Sequence, residues 1–103
     1  MQLSEFITEF VTPIQFYPRI AAVAGAKATI LIGQLIGWHE ASRLEWLCWT
    51  MDEIQQATGL SKVEQRTARR KLKQLGFLKE LENRLEHKMY YQVQFDKIWS
   101  RRR

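Results

Sequence analysis

Apolar positions along the chain change their spacing twice, and the changes divide it into elements. Leu3, Phe6, Ile7 and Phe10 recur at helical intervals after Ser4 and predict a short amphipathic helix in an N-terminal arm, residues 1–12, that fades near Val11. Thr12-Pro13 breaks it, and Ile14-Gln15-Phe16 reads as extended. Pro18 suits a first helical turn, where its missing N–H is not needed, and predicts a helix that runs to Ala24 and stops at Gly25. The most apolar run follows, from Ala26 to about His39, with Ala28, Leu31, Ile32, Leu35 and Ile36 on its packing side and Ile30 filling in. This is the expected central strut. Gly33 and Gly37 have the spacing of a close helix contact and predict that a neighbouring element or ring comes near there.

His39 to Glu45 is polar and reads as a loop, and Trp46-Leu47-Cys48-Trp49-Thr50 alternates bulky side chains as a brief strand does. Thr50 then looks like an N-cap with an acid three residues on, Glu53, and Met51, Ile54 and Ala57 give a helix of two turns closed by Gly59. Ser61 with Glu64 repeats the capping-box pattern, so a second helix begins at Lys62; Gly76, free to enter the left-handed region, ends it at about Leu75. Two helices joined by about four residues that include a glycine, over 51–75, form a helix-turn-helix pattern. Beyond Gly76 the period becomes two. Phe77 to Glu82 and Lys88 to Phe95 read as strands around a tip at Asn83 to His87, with Met89, Tyr91, Val93 and Phe95 on one side. Ile98 and Trp99 are expected to cover the core in a final turn, and residues 100–103 make a basic tail. The fold class is therefore α+β, mostly α, in one domain over 1–103.

The helix from Lys62 carries the candidate chemistry. At about 100° per residue, Ala68, Leu72 and Leu75 share one arc, while Lys62, Arg66, Arg69, Arg70 and Lys73 fall in an opposite arc about 100° wide that contains no carboxylate. Solvated helix faces usually interleave acids with bases, so this segregation favours a negatively charged partner. Gln65 could read adenine, Arg66 or Arg69 guanine, and Val63 a thymine methyl; Gln65 and Val63 equally suit the flank of a helix contact.

Charge distribution adds weight to that helix. The net charge is +5, with residues 1–61 at net −3 and residues 62–103 at net +8. Cys48 is the only cysteine, so an internal disulfide and a thiolate zinc cluster are excluded; with no basic region before an apolar core at the start, a reducing cytoplasm is the expected compartment. Ile20 to Trp38 approaches membrane-spanning length, but Lys27 near its middle would cost about 2.5–3.5 kcal/mol there, so a buried scaffold helix is the better reading. His39, His87 and Cys48 offer no ligand pair at local spacing, and neither a nucleophile elbow nor a phosphate-binding glycine loop is present. No cofactor, metal or enzymatic activity is expected.

Several stretches together resemble a known family: Phe16-Tyr17-Pro18, the run Ala28 to Trp38 with Gln34-Leu35, Trp46 to Thr50, Thr58-Gly59-Leu60-Ser61, Glu64 to Leu72, and Met89-Tyr90-Tyr91. They resemble small winged-helix proteins of bacteriophages and plasmids, which are similar to the N-terminal domains of DnaD-type replication initiators and replisome organisers. The resemblance implies a winged helix-turn-helix with a hairpin wing over 77–95. It implies a partner, double-stranded DNA, with Lys62, Gln65, Arg66 and Arg69 facing the major groove and Arg70, Lys73, Arg84 and Lys88 holding phosphates. Replication initiation or transcriptional control is the implied process. The chain departs from the family at Arg84 and Glu86, where Gly and Pro are common, and at Glu45, where Gly often precedes Trp46. A second reading stays open: an assembly module whose basic face docks an acidic partner and whose N-terminal helix pairs two subunits as a homodimer.

Overall fold

The computed structural model describes residues 13–83, 85 and 88–100. The predicted N-terminal helix, Arg84, Glu86, His87 and the tail from Arg101 lie outside the described residues. Within them the chain is α+β and mostly helical, with five helices and one three-stranded antiparallel sheet.

Pro18 starts α1 (Pro18–Ala24), and Gly25 at φ 88° both ends it and precedes α2 (Ala26–Ser42). Because α2 is enclosed by other elements over most of its length, it buries more than one stripe: Leu31, Ile32, Leu35 and Ile36, and also Thr29 and Gln34. Thr29 satisfies its hydroxyl by donating to the Gly25 carbonyl at 2.7 Å. The helix outlasts its expected end near His39 by a turn. Its stop is Arg43, which takes the left-handed conformation at φ 58° and donates its N–H to the His39 carbonyl at 2.8 Å. Gly33 is required as expected, since a Cβ there would collide with the Gln15 carbonyl oxygen of the chain crossing over it; a Cβ at Gly37 would meet only open space.

Strand β1 is just Leu47–Cys48, shorter than the alternating run around it. Trp49, beyond its end, instead stacks on Trp38 of α2 with ring centroids 4.0 Å apart. Helices α3 (Met51–Thr58) and α4 (Lys62–Gln74) both begin in complete capping boxes, Thr50 with Glu53 and Ser61 with Glu64. Between them Gly59 sits at φ 78° and Leu60 is buried, so the turn is fixed at both ends and pinned in the middle. After α4, Gly76 at φ 79° donates to the Lys73 carbonyl and Phe77 to the Leu72 carbonyl, closing the helix as the sequence predicts.

Strand β2 (Leu78–Asn83) pairs with β3 (Lys88–Val93) in a register running from Leu78 opposite Val93 to Asn83 opposite Lys88. The order is β1-β3-β2, so β1 and β2 are the edges. β3 ends two residues before the expected Phe95. Gln94 makes the last rung to the Phe77 carbonyl at 2.8 Å, and its own carbonyl then accepts from Lys97 and Ile98, turning the chain into α5 (Phe95–Ser100). Ile98 of that helix is buried, as expected of a covering turn, while Trp99 is exposed. The core joins α2 to Ile54, Leu60, Ala68, Leu72, Phe77, Leu78, Tyr91 and Val93. No helix among the described residues is long and apolar enough to cross a membrane.

Candidate nucleic-acid interface

Packing fixes how α4 is rolled about its axis. Ala68 and Leu72 face inward as expected, and Gln65 joins them, fully buried. Its amide nitrogen donates to the Met51 carbonyl at 2.9 Å and to the Leu60 carbonyl at 3.0 Å, tying α4 to both ends of the unit before it. The expectation that Gln65 faces a DNA groove is therefore corrected: its amide is spent on the backbone of α3 and the turn. Gln65→Ala should cost about 1–3 kcal/mol by leaving the buried Leu60 carbonyl unpaired, while leaving any sequence preference for DNA unaltered; denaturant unfolding and binding to selected duplexes would check the two halves.

Arg69 is the second correction. Its side chain is 13 % exposed and lies against the sheet, with Nη1 3.6 Å from Glu80 Oε1 and 3.4 Å from the hydroxyl oxygen of Tyr91, to which it donates. Burial pushes the Tyr91 hydroxyl above its ordinary pKa, partly offset by the nearby Arg69 charge. Lys73 also reaches Glu80, at 3.2 Å from Oε2, and remains 47 % exposed. The basic arc read from the sequence contains no acid of its own, but the hairpin supplies one.

The face that points outward is centred elsewhere. With Gln65, Ala68 and Leu72 inward, about 100° per residue brings Val63, Arg66, Thr67, Arg70 and Gln74 to the opposite side, flanked by Lys62 and Lys71. All seven are exposed, Val63 at 66 %. Val63 is thus on the open surface and not at a helix contact. Among the described residues Arg66, Arg70 and Lys71 have no carboxylate within ion-pair distance. Lys62 meets Asp52 at 3.2 Å, but Asp52 is 76 % exposed; such pairs are worth about 0–1 kcal/mol and exchange readily for another anion. Lys88 is exposed next to the hairpin tip. Sequence reasoning missed Thr67, Gln74 and Lys71, although the interval of Thr67 and Gln74 from Arg70 signals a shared face.

The start of α4 is held from a distance as well. Lys27 of α2 reaches Glu64 at 2.8 Å, while Glu64 also accepts from the Ser61 backbone N–H at 2.9 Å. The Lys27 bond first, and then those with Ser61, hold the Glu64 carboxyl at about 2, well below its ordinary 4.5. A carboxyl lowered in the folded state stabilises it above the unfolded pKa and loses that contribution as pH falls through the folded value. Glu64→Gln keeps a capping acceptor but removes the charge. It should therefore unfold at lower denaturant than the parent at neutral pH, with a gap that narrows from about pH 4.5 downward and closes near pH 2; added salt should shrink the gap, because the pair is exposed to solvent.

His39, set aside as a metal ligand in the sequence, lies in the core. Its Nδ1–H donates to the Leu44 carbonyl at 2.9 Å, and its Nε2 accepts from the buried Val93 N–H at 3.1 Å. Both ring nitrogens therefore serve to join the end of α2 to β3. Comparison of the chain with protein-family models, curated proteins and solved structures found no match.

Proposed function

We propose that the chain is a double-stranded DNA-binding protein of the winged helix-turn-helix class, in which α3, its turn and α4 form the helix-turn-helix and β2–β3 the wing. α4 enters the major groove. Arg66 and Arg70 face the bases at its centre with Val63, Thr67 and Gln74 beside them, and Lys62 and Lys71 take phosphates on the two flanks. The observation that carries the reading is the outward face itself: a doubly anchored helix presenting two arginines that no carboxylate satisfies among the described residues. A protein that places its cations for solvation alone has no need of such anchoring. The resemblance noted above gives replication initiation or transcriptional control in a phage or plasmid as the setting.

Titration of duplex DNA against salt tests this. Binding should fall linearly on logarithmic axes with a slope of about −0.9 per phosphate neutralised, and selection from a random pool should recover a preferred site. A flat salt dependence would remove the reading. The assembly-module reading has its own support in a groove of about 400 Å³ between α1 and α5, lined by Tyr17, Ile20, Val23, Phe77, Ile98 and Trp99. Weak, sequence-blind DNA binding together with a change of sedimenting mass on removal of residues 1–11 would favour it.

A further inference from the structure

The hairpin brings one acid to the back of α4, and its position is unlike that of any other carboxylate near the helix. Glu80 of β2 is 10 % exposed, yet it lies within ion-pair distance of two cations from one face of α4, Lys73 at 3.2 Å and Arg69 at 3.6 Å. A carboxylate so far from water depends on those cations, because an unpaired buried charge is strongly unfavourable. Asp52, which meets Lys62, carries no such obligation at 76 % exposure.

The two contacts differ from a sealed salt bridge in one respect. Glu80 Oε1 and Arg69 Nε are both buried without a hydrogen-bond partner among the described residues, and 3.6 Å is too long for a hydrogen bond. The carboxylate therefore holds Arg69 by charge more than by geometry, and Lys73 supplies its one direct bond.

We infer that Glu80 is a positioning residue that withholds Arg69 and Lys73 from DNA phosphates, leaving Arg66 and Arg70 with the flanking lysines to make the contacts. The inference rests on the DNA-binding reading above and adds a specificity device to it. Phosphate attraction is blind to sequence, so an acid that offsets one positive charge and holds two cations back beside the reading face lowers affinity for arbitrary DNA without touching the side chains that meet bases.

The test is the salt slope for a duplex of mixed sequence, measured for the full chain and its variants. Lys73→Gln should leave the parent slope unchanged although Lys73 is half exposed, whereas Lys71→Gln, at an exposed lysine assigned to a phosphate, should reduce it by about 0.9. Glu80→Gln should steepen it by about 0.9–1.8, and adding Lys73→Gln and Arg69→Gln to that variant should return it to the parent value. A role of Glu80 in stability alone would not move the slope. Should Glu80→Gln fail to fold, the contrast between Lys73→Gln and Lys71→Gln still decides, since both alter exposed side chains. A Lys73→Gln loss equal to that of Lys71→Gln, or a folded Glu80→Gln with the parent slope, would overturn the inference while leaving DNA binding intact. A parent chain with no salt-dependent binding would instead remove both.

Discussion

Arg66→Glu combined with Arg70→Glu should abolish specific duplex binding and leave the fold alone. Both side chains stand on the exposed side of α4 with no ion-pair partner among the described residues, so their replacement breaks no native contact. Substitutions of that kind change stability by about 0.5 kcal/mol or less. An arginine at a base edge is worth about 1–3 kcal/mol, and reversal adds repulsion to the loss, so the pair should weaken binding by about 100-fold to 10,000-fold. Thermal unfolding and duplex titration of the same preparation would separate the two effects. A double variant that unfolds and binds like its parent would leave α4 with no part in recognition.

The second large effect is expected at His39→Leu, far from the proposed interface. The imidazole carries a proton on Nδ1 for the Leu44 carbonyl and an open lone pair on Nε2 for the Val93 N–H, and leucine offers neither. The Val93 N–H, stranded in the interior, costs about 1–3 kcal/mol, whereas the carbonyl of exposed Leu44 can turn to water, so the substitution should remove about 1–3 kcal/mol from a total of about 5–15. The melting temperature should fall by about 5–20 °C. His39→Gln can place an amide oxygen towards Val93 and should recover part of the loss. Near-equal melting of the Leu variant and the parent would mean that neither bond matters to the fold.

These two sites show what a linear reading of the chain reaches. The boundaries of α3 and α4 were legible because their causes are local: Thr50 with Glu53, Ser61 with Glu64, and Gly59 and Gly76 at positive φ all act within a few residues of the helix ends they define. The far end of β3 was not. Met89, Tyr91, Val93 and Phe95 continue one alternation, and the strand stops where Gln94, after its rung to Phe77 across the hairpin, turns its carbonyl to the N–H groups of Lys97 and Ile98. The same distinction divides the candidate site. Arg66 and Arg70 were visible as one face of one helix. Gln65 had an interval that already aligned it with Ala68 and Leu72, but its polar chemistry argued for solvent, and Arg69 stood at the inner rim of the basic arc, where only a partner from outside the helix decides its side. Their partners, Met51, Leu60, Glu80 and Tyr91, come from elements that a wheel of α4 does not contain.

The edges of the small sheet bear on behaviour at high local concentration. β1 offers an incoming strand only Leu47 and Cys48 to pair with, and β2 carries exposed Lys79 on one face and exposed Glu82 on the other. A rim that short on one side and that charged on the other is a poor template for strand addition. Among the described residues, neither rim of the sheet therefore favours the addition of a strand from a second copy.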